Sequence, residues 1–162
     1  MIKYDKREIS AMVLGMLEKS LYDVKKSVKD TKERAIQAPS ASESHSDTSK
    51  NQLQTLAFGL DQRVYALESE ITSLKEYTVA DNLNKVVVGA LVALEDINSG
   101  EEKYCYILPA GAGTHIVTKR GKVNIITASA PLFSMMRNKE EGDEFIFKRG
   151  KLRQEYCISE IE

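Results

Sequence analysis

Glu43, His45 and Asp47 place two carboxylates and an imidazole at alternating positions in the run Pro39–Lys50, PSASESHSDTSK. Carboxylate oxygens are the ligands a hard divalent cation takes, and a Glu-His-Asp cluster is a set able to bind a metal on its own. The run carries no large apolar side chain, and most of its other residues are serine or threonine. Two readings stay open. In one, Asp47 is a helix N-cap and Glu43 a solvated loop charge. In the other, the run is the working end of the molecule.

Little else in the sequence proposes chemistry. There is no nucleophile-base pairing, no Gly-rich phosphate loop and no histidine constellation, since His45 and His115 are the only histidines. Cys105 and Cys157, each within a strand-like run, are spaced unlike a zinc ligand set and read as small buried hydrophobes. With 23 basic and 24 acidic residues the net charge is −1, which offers no bulk attraction to nucleic acid or to an anionic membrane. Apolar runs such as Val86-Val87-Val88 are far too short to cross a bilayer. The first eight residues show no secretory pattern, so a cytoplasmic protein is expected.

The elements around the polar run must position it. Before it, Ile9, Val13, Met16 or Leu17, Leu21, Val24, Val28, Thr31 and Ala35 line one stripe of a helix. After it, Leu53, Leu56, Leu60, Val64, Leu67, Ile71 and Leu74 follow at near-heptad steps. Each stripe is narrow, so each helix needs a partner, and the economical solution is an antiparallel hairpin over residues 1–78 with its tip at about 38–50. A first helix from about Asp5 to Gln37 would be roughly 50 Å long, long enough to project from a small globular half. The basic residues Lys25, Lys26, Lys29 and Lys32 form a solvated face that is able to brush RNA.

Beyond residue 80 the runs become short, β-branched and punctuated by glycine. Val86–Leu94, Lys103–Leu108, His115–Thr118, Val123–Thr127, Glu144–Phe147 and Leu152–Ile158 read as strands. Pro131 suits the first turn of a short helix, Leu132–Met136. The expected class is α+β in two domains. A helical hairpin precedes an antiparallel sheet with one short helix over residues 84–162.

The run Ala130-Pro131-Leu132-Phe133-Ser134-Met135-Met136-Arg137-Asn138-Lys139-Glu140-Glu141-Gly142-Asp143 resembles the signature of the Gre transcript-cleavage factors. Val88-Gly89-Ala90-Leu91-Val92-Ala93-Leu94 resembles the opening strand of that family, and the hairpin-then-sheet layout is also similar. The resemblance implies an FKBP-like C-terminal domain and an accessory factor without catalysis of its own. Its partner would be bacterial RNA polymerase, bound at the rim of the secondary channel through Ser129, Ala130, Pro131 and Leu132. The hairpin tip would reach toward the polymerase active site and affect elongation, pausing or cleavage of backtracked RNA. Contact with nascent RNA would be indirect, and the factor would be a monomer.

Gre tips carry Gly-Asp-Leu-Lys-Glu-Asn, whose acidic pair helps hold a magnesium ion. The aligned run here is Ser46-Asp47-Thr48-Ser49-Lys50-Asn51, so Asp47 keeps the first carboxylate and Lys50 stands in place of the second. Glu43, four positions earlier, is the candidate for that second role. Asp47 and Glu43 are therefore the expected tip and metal-facing residues, acting only on magnesium shared with the polymerase, and the chain resembles a divergent member with an atypical tip. Two readings from other classes remain: an FKBP-like peptidyl-prolyl isomerase or chaperone, and a coiled-coil adaptor.

Overall fold

The computed structural model describes residues 4–38, 49–119 and 121–162. The elements in chain order are α1 (Lys6–Gln37), α2 (Ser49–Glu76), β1 (Leu91–Asp96), β2 (Glu102–Ile107), β3 (His115–Thr118), β4 (Gly121–Ile126), α3 (Pro131–Met136), β5 (Glu144–Arg149) and β6 (Leu152–Ile161). Two compact units result. One is Gly15–Thr72; the other joins the chain up to Leu14 with Ser73–Glu162.

The helical unit is held by the stripes the spacing predicts. On α1, Leu17, Thr31 and Ala35 are buried and Leu21, Val24 and Val28 are half-buried. On α2, Ala57, Leu67 and Ile71 are buried and Leu53, Leu60 and Val64 are half-buried. Lys25 pairs with Glu68 at 2.7 Å and Lys32 with Asp61 at 2.8 Å. As α1 ascends from 25 to 32, α2 descends from 68 to 61, so the helices run antiparallel. Both pairs are exposed and contribute about 0–1 kcal/mol each, which leaves the apolar seam as the main stabilising term. One position differs from expectation. Leu56 is 53% exposed, and its neighbour Ala57, at 6%, takes the seam position. Spacing of three or four does not separate adjacent residues, and small side chains (Thr31, Ala35 and Ala57) are the ones buried toward this end.

The second unit is built on a six-stranded sheet of order β3-β4-β2-β1-β6-β5. Every pair is antiparallel except β2 with β4, where Tyr104 faces Val123 and Ile107 faces Ile126 in parallel register. The sheet is therefore mixed rather than wholly antiparallel. The chain leaves β2, turns outward through Gly111–Thr114 to the edge strand β3, and returns as β4 into the place beside β2. The first strand also begins later than the β-branched run suggests. Gly89 has φ 102°, and the Ala90 N–H donates to the Val87 carbonyl at 3.1 Å, so Val86–Ala90 turns and β1 starts at Leu91.

Both faces of the central strands are covered, which explains why Leu91 through Leu94 are all buried. On one face Val92, Leu94, Cys105, Ile107, Tyr156 and Ile158 pack with Phe133 and Met136 of α3 and with Val86. The opposite face, by the alternation of a strand, carries Leu91, Tyr104, Tyr106, Val123 and Ile125. The root of α1 lies against it. The Tyr4 and Tyr104 rings stand 5.2 Å apart, and Ser10 Oγ donates to Tyr106 Oη at 3.3 Å. Val13 Cγ1 sits where a Cβ on Gly111 would come within 2.6 Å of it. Asp5 starts the helix: its Oδ1 accepts from the Arg7 and Glu8 N–H groups at 2.9 and 3.1 Å.

Candidate functional site

The Ser129–Leu132 segment is positioned from both ends. Upstream, the Ala130 N–H donates to the Thr127 carbonyl at 2.9 Å, closing a tight turn, and the Thr127 and Ser129 hydroxyls share a 2.9 Å hydrogen bond. Pro131 then opens α3 with its fixed φ, and no side chain caps the helix at Ala130. The six-residue helix is anchored instead by burial of Phe133 and Met136. Downstream, the Asn138 N–H donates to the Val86 carbonyl, and the Val86 N–H donates to the Lys139 carbonyl, both at 2.9 Å. Ser129 and Pro131 are thereby presented to solvent, while Ala130 and Leu132 are half-buried against the core. Met135 on the same helix is 49% exposed, which makes this end of the sheet unit partly apolar.

The acidic turn after α3 is occupied with holding itself together. Asp143 Oδ2 accepts from the Glu140 N–H at 2.9 Å, and Glu141 Oε1 accepts from the Ile161 N–H at 2.8 Å. Glu140 also pairs with Lys85 at 3.0 Å. These carboxylates tie the α3 exit to β6 and to the segment before β1, so their role in this unit is structural.

Asp47 and Glu43, with His45, lie outside the described residues. So does the polar run itself, from Pro39 to Thr48. Of the aligned tip, Ser49 and Lys50 open α2. Among the described residues, no group of three or more His, Cys, Asp or Glu side chains is placed to hold a metal ion.

The cysteines are free thiols. Burial pushes the Cys105 thiol up to about 12, and burial with the Glu144 and Glu95 carboxylates raises that of Cys157. Neither is lowered toward a thiolate near neutral pH, so neither is an activated nucleophile. The isomerase reading needs an aromatic-lined pocket. Tyr106, Phe133, Phe145 and Tyr156 are spent in the core instead. An open groove of about 470 Å³ is lined by Ile97, Lys139, Glu144, Phe145, Ile146 and Glu155. Its single ring, Phe145, packs at 5.7 Å against Tyr156.

Lys6 was not singled out by the sequence patterns, yet it organises the helix root. It is 4% exposed, and Nζ donates to the Ala80 carbonyl and, at 3.3 Å, to the Gly89 carbonyl. Burial lowers its pKa from 10.5, against the opposing pull of the Glu162 and Asp81 carboxylates. The signal was its phase, three residues before Ile9 on the buried stripe. Tyr77 continues the junction, its hydroxyl 3.3 Å from that of Tyr106.

No protein-family model matches the chain. It is 31% identical over 102 residues to the transcription elongation factor GreA of Nitratidesulfovibrio vulgaris, in strains DP4 and Hildenborough. The match takes in 59% of this chain and 57% of that protein, so it spans little more than half of the relative's length. Over that stretch the chain is similar to a Gre transcription elongation factor. Among solved structures, the Thermus thermophilus GreA factor homolog 1 (Gfh1) aligns over 92% of this chain and 94% of its own, at 19% identity and a TM-score of 0.38. The Nitrosomonas europaea GreA/GreB structure aligns over 68% and 91%, at 20% identity and a TM-score of 0.36. These structural likenesses are loose and carry no argument; the similarity to GreA rests on the sequence match alone. No helix among the described residues is long and apolar enough to cross a membrane.

Proposed function

We propose that this chain is a Gre-like accessory factor of bacterial RNA polymerase that works in the cytoplasm as a monomer. It docks at the rim of the secondary channel through the Ser129–Leu132 segment and passes the α1–α2 hairpin toward the active site. The observation that carries this reading is the match to GreA, in a chain whose described residues form a paired-helix unit and a separate sheet unit. Docking through Ser129 and Pro131 is supported by their exposure on a turn whose backbone is pinned at both ends. The factor contributes position and carboxylates, while the reacting groups belong to the polymerase.

At the tip, Asp47 and Glu43 are oxygen donors of the kind a polymerase-held magnesium ion accepts, whereas the ammonium of Lys50 is not. Bound magnesium would supply charge stabilisation for phosphodiester hydrolysis. With a single matched carboxylate, the favoured form of the activity is channel occupancy with weak or no cleavage.

The test uses a backtracked elongation complex carrying labelled RNA, with wild-type protein, Asp47→Ala, Glu43→Ala and Ser129→Arg. The expected result is displacement of a known channel binder by the wild type and both tip variants. Ser129→Arg, which gives up the hydroxyl bond to Thr127 but keeps the Ala130 N–H to Thr127 carbonyl bond of the turn, should lose displacement. RNA shortening that disappears in Asp47→Ala would establish a cleaving factor. The absence of both shortening and displacement would refute polymerase binding.

A further inference from the structure

The face of α2 turned away from its seam has an unusual composition. Thr55, Phe58, Gln62, Tyr65, Ser69 and Thr72 succeed one another at steps of three and four, a second heptad-spaced stripe on the same helix. All six are exposed, and Phe58 and Tyr65 are 66% and 67% exposed. The stripe carries no charge, in a chain that is 29% charged. The charged residues of this segment stand to either side and are engaged: Asp61 with Lys32, Glu68 with Lys25, and Arg63 with Glu70 at 3.6 Å. A solvated helix face normally carries its charges outward. Here they border a neutral strip with two rings on it.

Two small residues, Gly59 and Ala66, lie seven apart beside the rings. A Cβ added at Gly59 would meet nothing within 4 Å, so there is open room above it. When two copies of this helix are laid antiparallel about a two-fold axis at Gln62, the pattern becomes self-complementary. Tyr65 then falls beside Gly59 of the second copy, Phe58 beside its Ala66, and Thr55 beside its Ser69. Each layer sets a larger side chain against a smaller one, as antiparallel helix packing requires. The two Gln62 amides meet at the axis, where each offers a donor and an acceptor to the other.

We infer that this face is a self-association surface whose occupant is the same face of a second copy. Charge selects that occupant. A charged partner would lose hydration with no opposite charge to receive it, whereas two neutral stripes meet without that cost. Four rings, each about two-thirds exposed before contact, bury roughly 400–650 Å² between them. With their small neighbours the contact stays near or below the roughly 1,200 Å² of a standard stable interface. The dimer is therefore reversible and populated by concentration. Under the function proposed above, and resting on it, a hairpin covered along α2 cannot also enter a narrow cavity, so the dimer is a reserve of inactive factor.

The experiment is sedimentation velocity of the full chain from about 5 to about 500 µM, without polymerase, where mass action should shift monomer to dimer. Tyr65→Glu should raise the dissociation constant tenfold or more at unchanged helicity, because the residue touches little in the monomer. Gln62→Cys should be captured as a dimer by a short bis-maleimide. Ser69→Cys, whose two copies would lie about 21 Å apart along the helices, should not. Unsubstituted protein controls for the native thiols. A monomer at every concentration, a dimer indifferent to Tyr65→Glu, or equal capture of Ser69→Cys would each overturn the proposal. Failure to bind polymerase would leave these readouts intact and would count against the functional reading alone.

Discussion

Replacing Gly111 with alanine probes the joint between the helix root and the sheet. Gly111 has φ 87°, and its added Cβ would lie 2.6 Å from Val13 Cγ1. Two costs combine. An L-residue held in the left-handed region loses about 1–2 kcal/mol. Forcing a methyl group into a packed contact adds about 1–3 kcal/mol. Gly113 separates them, since its φ is 80° but a Cβ there meets nothing within 4 Å. Gly113→Ala should therefore cost only the backbone share, about 1–2 kcal/mol. Gly111→Ala should cost about 2–5 kcal/mol, which at a mid-range urea slope of about 2 kcal/mol/M lowers the midpoint by roughly 1–2.5 M. Near-ultraviolet circular dichroism of the tyrosines suits the measurement, as the chain has no tryptophan. A double-mutant cycle completes the test. In a Val13→Ala background the clash is gone, so adding Gly111→Ala should cost only the backbone share, leaving about 1–3 kcal/mol of coupling. Equal costs for Gly111→Ala and Gly113→Ala, or a cycle additive within about 0.5 kcal/mol, would refute the close approach of Val13 to the Gly111 turn.

Two further outcomes follow from the titratable groups. Asp96 Oδ1 accepts from the Asn98 and Ser99 N–H groups at 3.0 and 3.1 Å, and the Ser99 bond holds its carboxyl below the ordinary 3.8. A depressed carboxylate stabilises the fold above its unfolded pKa and loses that contribution as pH falls through its folded value. Asp96→Asn should thus be less stable at pH 7, with the gap to wild type closing below about pH 3.8; a gap constant with pH would refute this. For the thiols, a disulfide reagent at about pH 8 should modify Cys157 before Cys105, and both far more slowly than in urea. Fast modification of Cys105 in the folded protein would contradict its burial.

The helical elements were legible in the sequence because one physical signal dominates them. Ile9, Val13, Leu17, Thr31 and Ala35 recur on a single face, and with Lys6, which the apolar pattern could not flag, they are the buried residues of α1. That signal is blind to a one-residue choice between adjacent apolar side chains, hence Leu56 for Ala57. In the sheet, composition located each strand but not its neighbours. Nothing local to Tyr104–Ile107 or Val123–Ile126 announces that they pair in parallel, because the order is decided by where the Gly111–Thr114 turn sends the chain. The Val86–Leu94 run misled for a backbone reason: β-branched residues favour extension, but Gly89 interrupts it. Of the expected docking segment, the proline and the apolar helix were visible as a motif. The pinning bonds from Val86 were not, since they join backbones 52 and 53 residues apart.

Lys6, Ser10 and Val13 belong to a helix that the eye assigns to the hairpin, yet their contacts are with Gly89, Tyr106 and Gly111. The sheet is sealed by residues encoded well upstream of its own strands. Recombination at the obvious seam, near residue 80, would hand a descendant six strands with one face unroofed and a lysine stranded without its carbonyls. Shuffling of the two halves between lineages is thereby penalised, and the hairpin is free to diversify only beyond its first three turns.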